Sequence, residues 1–425
     1  MAIAAVTMGA QSAEPDYERP PINYSHTAPK DAVALLLKRI KAGQVTLMGS
    51  DTDILRAVLR ELNVPVESQV VVFSKTSLQA GLIRPANPRA LYFSDSVYVG
   101  WVPGGLIEVA AVDPELGPVF YGFDPQDARD ARRTFVRESS CLRCHGGTFS
   151  RDIPALFERS VVTKAKGEPV DRQSAELVDD ATPFEYRWGG WYVTGYAGKL
   201  THRGNAFGLE RAGEVEFKLS DQRPVELSGY FDTAKYLTNT SDVVALLVFQ
   251  HQLAMHNSLT RAAQGCRRVL EDQRLRQVSA NKPVTEESAD ANSEAVLAKS
   301  AEDVVDHLLF RNAAPLPEGL KGAAAFQQAF ATDARRSSKG DALKDLSLHG
   351  RLFANRCSFL IYSESFDALP APLKTRIFSR LSEALRDNRP EGRYAYLDKA
   401  EKRRIFDVLV ETHPEARRFF QTVSH

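Results

Sequence analysis

Val97-Tyr98-Val99-Gly100-Trp101-Val102-Pro103-Gly104-Gly105-Leu106-Ile107-Glu108-Val109-Ala110 holds two apolar-rich runs separated by a Pro-Gly-Gly turn. Valine, isoleucine, tyrosine and tryptophan suit the pleated, half-buried surface of a sheet, and the turn reverses the chain. The pair reads as a β-hairpin. Ala90-Leu91-Tyr92-Phe93 precedes it across Ser94-Asp95, and Val119-Phe120-Tyr121 follows it past Asp113-Pro114. With Val70-Val71-Val72-Phe73 upstream, the stretch predicts an antiparallel meander.

Outward from the meander the pattern changes. Residues 30–42 have amphipathic helical spacing in Val33, Leu35, Leu36, Leu37 and Ile40, and 51–62 repeat it behind Asp/Thr caps. Strand-like pieces recur at Trp191-Tyr192-Val193-Thr194 and 215–218, without the alternating units of a parallel sheet. The second half reads as helices: Asp242 to about Arg276, 301–310, 374–386 and 399–411, with a polar, Pro-interrupted excursion at 279–293. The expected class is α+β, with short helices and the meander in the N-terminal half and a mainly α-helical C-terminal half. The expected organisation is a tail over 1–25, an α+β domain over 26–240 and a helical domain over 241–425.

Residues 1–13 are apolar and small, and Glu14-Pro15-Asp16 ends the run abruptly. This reads as the back half of a secretory signal with cleavage after Ser12 or Ala13, or as a disordered tail, and a positive n-region is missing. Across the 425 residues, 54 Lys and Arg balance 54 Asp and Glu, so no global field favours nucleic acid or an anionic membrane. The longest apolar run in a helical region, Val243 to Phe249, is far below the roughly 20 residues of a membrane span. Four cysteines are too few for a disulfide scaffold. Cys266 and Cys357 are left over as one bridge or as two buried thiols.

The chemistry lies in Arg137-Glu138-Ser139-Ser140-Cys141-Leu142-Arg143-Cys144-His145-Gly146-Gly147. It contains C-x-x-C-H, the haem attachment spacing. Two intervening residues let both sulfurs reach the two vinyl groups of one porphyrin, and the next imidazole is carried to the iron. Zinc would need a second ligand pair, and no other C-x-x-C exists. A redox dithiol would need a βαβ setting that the meander does not supply.

On these five residues the chain resembles c-type cytochromes. The resemblance implies one covalently bound haem c, thioethers at Cys141 and Cys144, His145 as proximal iron ligand, and a periplasmic or otherwise extracytoplasmic location. The surrounding chain does not look like the compact three-helix cytochrome domain. Trp188-Gly189-Gly190-Trp191-Tyr192-Val193-Thr194-Gly195, His251-Gln252-Leu253-Ala254-Met255-His256-Asn257 and 357–363 look similar to a group of bacterial secreted proteins with one haem motif.

The sixth iron position separates an electron carrier from an enzyme. Distal candidates are His202, in a Gly-rich loop near Trp188, Trp191, Tyr192 and Tyr196, and His256 in the long helix. Met255 and His251 are weaker. His251 and His256 stand about 140° apart around a helix and cannot share one iron, and the apolar stripe of Val243, Leu246, Phe249 and Leu253 lies closer to His256. For each histidine the alternative reading is ordinary packing. Arg137, Arg143, Arg151 and Arg187 are the candidate propionate partners. The leading expectation is a six-coordinate haem that passes single electrons to a redox partner protein or small-molecule oxidant or reductant. The alternative is a peroxidase-type enzyme with an open distal pocket.

Overall fold

A computed structural model of the chain describes residues 14–126, 134–147, 150, 152–170, 176–211, 214–217, 219, 223–284 and 289–422. The secretory-signal reading of 1–13, and Arg151, lie outside the described residues.

The meander forms as expected. β1 (Val70–Val72), β2 (Arg89–Phe93), β3 (Val97–Trp101), β4 (Ile107–Asp113) and β5 (Gly117–Phe123) pair antiparallel in sequence order. A short β6 (Val136–Arg137) adds to β5, and β9 (Trp191–Tyr192) adds to β1, giving seven strands in the order β6-β5-β4-β3-β2-β1-β9. Two small hairpins, β7 (Glu158–Ser160) with β8 (Glu176–Val178) and β10 (Gly208–Arg211) with β11 (Glu214–Phe217), stand apart from it.

Register decides what each face meets, because side chains alternate along a strand. Phe93 opposes Tyr98, Tyr98 opposes Ala110, and Ala110 opposes Phe120, so these four share one face. Tyr92, Val99, Val109 and Tyr121 share the other. That second face packs on α1 (Ala32–Lys41) and α2 (Asp51–Glu61), where Ile54, Leu55, Val58 and Leu59 are fully buried. Each such side chain contributes about 1.5–3 kcal/mol by leaving water.

The first face packs on α4 (Val243–Ser279), a helix of 37 residues. Asp242 caps it. One carboxylate oxygen accepts from the amides of Val244 and Ala245 at 3.0 Å, and the other accepts from Ala323 at 2.5 Å. α5 (Ala291–Leu308), α6 (Ala324–Ala331), α7 (Glu364–Asp367), α8 (Ala371–Arg386), α9 (Lys399–Thr412) and α10 (Pro414–Thr422) complete the helical half. The protein is α+β, as the sequence predicts. Among the described residues no helix is long and apolar enough to cross a membrane.

The domain organisation differs in three places. Residues 14–25, read as tail, are packed: Tyr17, Ile22 and Tyr24 are buried, Tyr24 donates to Pro118 O at 2.8 Å, and Asp16 pairs with Arg268. Their polar, proline-rich neighbours conceal three well-spaced apolar anchors. The break near 240 falls at the start of α4, yet residues from both sides fill one core, so the halves are not separate cores. The excursion at 279–293 is shorter than read, because α5 already begins at Ala291; residues 285–288 lie outside the described residues.

Candidate haem site

The motif leaves the sheet at β6 and turns at once into a 3₁₀ turn, Ser139–Cys141, and the four-residue helix α3 (Leu142–His145). Glu138 N donates to Phe120 O at 2.9 Å, which pins the turn to β5. Cys141 is half-buried, Cys144 is exposed, and both are free thiols.

Cys141, Cys144 and His145 all line one cleft, of about 1120 Å³ of atom-free space, part of it open to solvent. Its floor is the first face of the sheet: Leu91, Tyr98, Gly100, Ala110 and Phe120. Phe249 and Leu253 of α4, together with Trp191, form a wall.

His145 is held on three sides. Its ring stacks on Phe157 with centroids 4.5 Å apart and 9° between planes, and tilts against Phe120 at 4.7 Å. Its backbone oxygen accepts from Ala155 N, and Nδ1–H donates to Ala155 O, both at 2.8 Å. Fixing the proton on Nδ1 leaves the lone pair on Nε2, the arrangement that a metal-binding imidazole requires. Burial pushes the imidazole down to about 4, against the opposing pull of the Ala155 bond, so it is neutral at ordinary pH. Burial pushes the Cys141 thiol up to about 11.

Gly100 opens the floor. A Cβ there would collide with the guanidinium of Arg89, which lies across β3 to reach Glu108 on β4 at 2.5 Å. This ion pair crosses three strands inside a largely apolar cleft. Arg159 also lines the cleft, with its guanidinium over the Phe157 ring at 5.4 Å.

The distal candidates are placed elsewhere. His202 is buried edge-on to Trp188 at 5.2 Å, and its Nδ1 accepts from Gly204 N at 3.1 Å. His256 stands behind Tyr98, and its Nε2–H donates to Asp95 O at 2.9 Å. His251 has both nitrogens engaged, with Asp180 and Ser358, each at 2.8 Å. Met255 is fully buried in the core. None of the four lines the cleft. The stripe argument loses its force because the first part of α4 is buried nearly all round, so periodicity cannot rank its faces.

Of the four aromatics offered as a wall, only Trp191 lines the cleft. Tyr192 faces the opposite core, against Phe73 at 4.7 Å. Arg137 donates to Tyr24 O and Thr27 O, Arg143 to Ser140 O, and Arg187 is buried against Gln250. Arg89 and Arg159 are the arginines that line the cleft instead of those three, and Glu108 joins them there as the partner of Arg89. A glycine at mid-strand and a lone glutamate inside the apolar run 107–110 were the signals available.

Asp180, His251 and Ser358 stand in the order of a catalytic triad. Ser358 and His251 are 0 % and 1 % exposed, however, and line neither described cleft, so the line is a structural tie. It belongs to a buried polar chain in which Arg187 donates to Gln250 Oε1 at 2.9 Å and Gln250 donates to Glu158 Oε1 at 2.7 Å.

Burial pushes the Glu158 carboxyl up to about 8, outweighing the nearby Arg187. A carboxyl raised in the fold costs stability as pH climbs from its unfolded value, about 4.5, through about 8. Glu158→Gln is therefore expected to melt like the parent near pH 4 and at a higher temperature above pH 8. Parallel melting curves across that range would show that the carboxyl is not strained by burial.

Among the described residues, no group of three or more His, Cys, Asp or Glu side chains converges as a metal-ion site. Comparisons with protein-family models, curated proteins and solved structures found no match.

Proposed function

We propose that the chain is a c-type haem protein of redox function, with Cys141 and Cys144 as thioether anchors and His145 Nε2 as proximal iron ligand. The observation that carries this reading is that Cys141, Cys144 and His145, adjacent in sequence, all line one largely apolar cleft. When bound, the haem supplies a one-electron iron couple.

The chain's own residues do the rest. Ala155 O orients the imidazole and raises its basicity through Nδ1–H, and Phe120 and Phe157 hold its plane. The apolar floor excludes water. Arg89, already paired with Glu108, and Arg159 are the cations that line the cleft and would face the two propionates. Exposed Cys144 places one anchor at the surface, which suits electron entry from a redox partner protein.

The geometry favours the enzyme-type alternative over the six-coordinate carrier. His145 is the sole histidine among the described lining residues, and no methionine is among them. A haem held there by His145 would find no second histidine or methionine among the described lining residues and would offer its iron to a small-molecule oxidant or reductant. Optical spectra of the purified protein test this: high-spin ferric haem and rapid carbon monoxide binding in the ferrous state are expected. A low-spin, carbon monoxide-insensitive haem that turns high-spin in His256→Ala or His202→Ala would establish the carrier instead.

A further inference from the structure

We infer that one ordered water is bound between β3 and α4, held jointly by Tyr98, Gln252 and His256 behind the wall of the cleft. This site stands whether or not the cleft takes a haem.

The three side chains are 5 %, 1 % and 0 % exposed. Each keeps one buried atom without a partner: the Tyr98 hydroxyl, Gln252 Oε1 and His256 Nδ1. They also belong to one place. Gln252 and His256 are one turn apart on α4 and donate to consecutive carbonyls, Ser94 O at 3.3 Å and Asp95 O at 2.9 Å. Tyr98 is the second residue of β3, just after that turn, and its ring stands perpendicular to the His256 imidazole with centroids 6.1 Å apart.

Their donor and acceptor roles are fixed by the bonds already made. Gln252 spends its amide N–H on Ser94 O, so Oε1 is left as an acceptor. His256 spends Nε2–H on Asp95 O, so Nδ1 carries the lone pair. Tyr98 alone brings a proton. Two acceptors and one donor are the complement of a single water, which gives its two protons to Oε1 and Nδ1 and accepts from the phenol. Leaving the three unpaired would forfeit the hydrogen bonds each makes in the unfolded chain.

The site has two consequences for the cleft. With its hydroxyl engaged by the water, the surface Tyr98 would offer the cleft is its ring. His256 is committed as a neutral acceptor, one reason for its place outside the lining.

Crystals of the full chain diffracting well enough to show ordered solvent provide the direct test. Density within about 2.7–3.2 Å of all three atoms is expected. Absence of density, or a phenol that donates straight to His256 Nδ1, overturns the site. In solution, nitrogen-15 shifts of His256 should report the Nε2–H form with a hydrogen-bonded Nδ1; an Nδ1–H or doubly protonated ring overturns it. A double-mutant cycle on Tyr98→Phe and Gln252→Leu adds a functional reading. The two residues share no direct bond, so coupling through the water should make their effects on the unfolding equilibrium constant non-additive by about threefold or more. Strict additivity would remove the shared water.

Discussion

The Cys141→Ser/Cys144→Ser double variant is expected to leave the chain at its bare polypeptide mass, with no haem colour surviving denaturation. Covalent retention in this reading rests on two thioethers, and no third cysteine lines the cleft among the described residues. Either single variant keeps one bond and should load partially. The fold itself should be little affected: Cys144 is exposed and Cys141 half-buried, so the apo chain should lose no more than about 1 kcal/mol. Mass spectrometry under denaturing conditions, on chain matured where c-type haem is attached, decides the matter. A parent protein at bare mass, or a double variant that still carries covalent haem, would end the haem c proposal. His145→Ala sharpens the test, since it should leave the anchors intact and change the spectrum by removing the proximal nitrogen.

Gly100→Val should close the cleft from below. The first side-chain carbon would collide with the Arg89 guanidinium, which must then swing away and release Glu108. The rest of the valine would stand on the floor between Leu91 and Glu108, the cross-strand neighbours of this position. Overpacking of this kind costs about 1–3 kcal/mol, which the sheet should survive with its far-ultraviolet dichroism unchanged. Haem loading should fall by about tenfold or more. Loading at the parental level would show that the floor of this cleft is not where the cofactor sits. Gly100→Ala, with its single methyl, should fall between the two.

The meander was legible because its strands are short apolar, β-prone runs and its turns carry Pro, Gly and Asp, both local signals. The long helix was legible for the same reason, with Asp242 as its cap. The motif was legible because five contiguous residues carry their own geometry. What lay hidden was whatever depended on distant pieces meeting. Arg89, Glu108 and Phe249 come from two strands and a helix, and no periodicity within one segment tells that they share a cleft. His202 and His256 look equally available in sequence; their carbonyl and amide partners, Asp95 and Gly204, are visible only in the folded chain. Tyr17, Ile22 and Tyr24 were masked by polar company, since three spaced anchors do not form a pattern.

The cleft is built from residues as far apart as Val72 and Leu253, with the attachment motif between them. Strands β1 to β6 and the motif form a continuous early segment, whereas the α4 wall lies about a hundred residues later. Contacts across such separations close late, because loop entropy is lost before packing repays it. Until α4 docks, the sheet face bearing Cys141 and His145 is an open shelf, and afterwards it is the floor of a walled cleft. If the cleft takes a haem as proposed, this order of assembly would set a window for maturation, with the cofactor laid on the shelf before the helix that encloses it arrives.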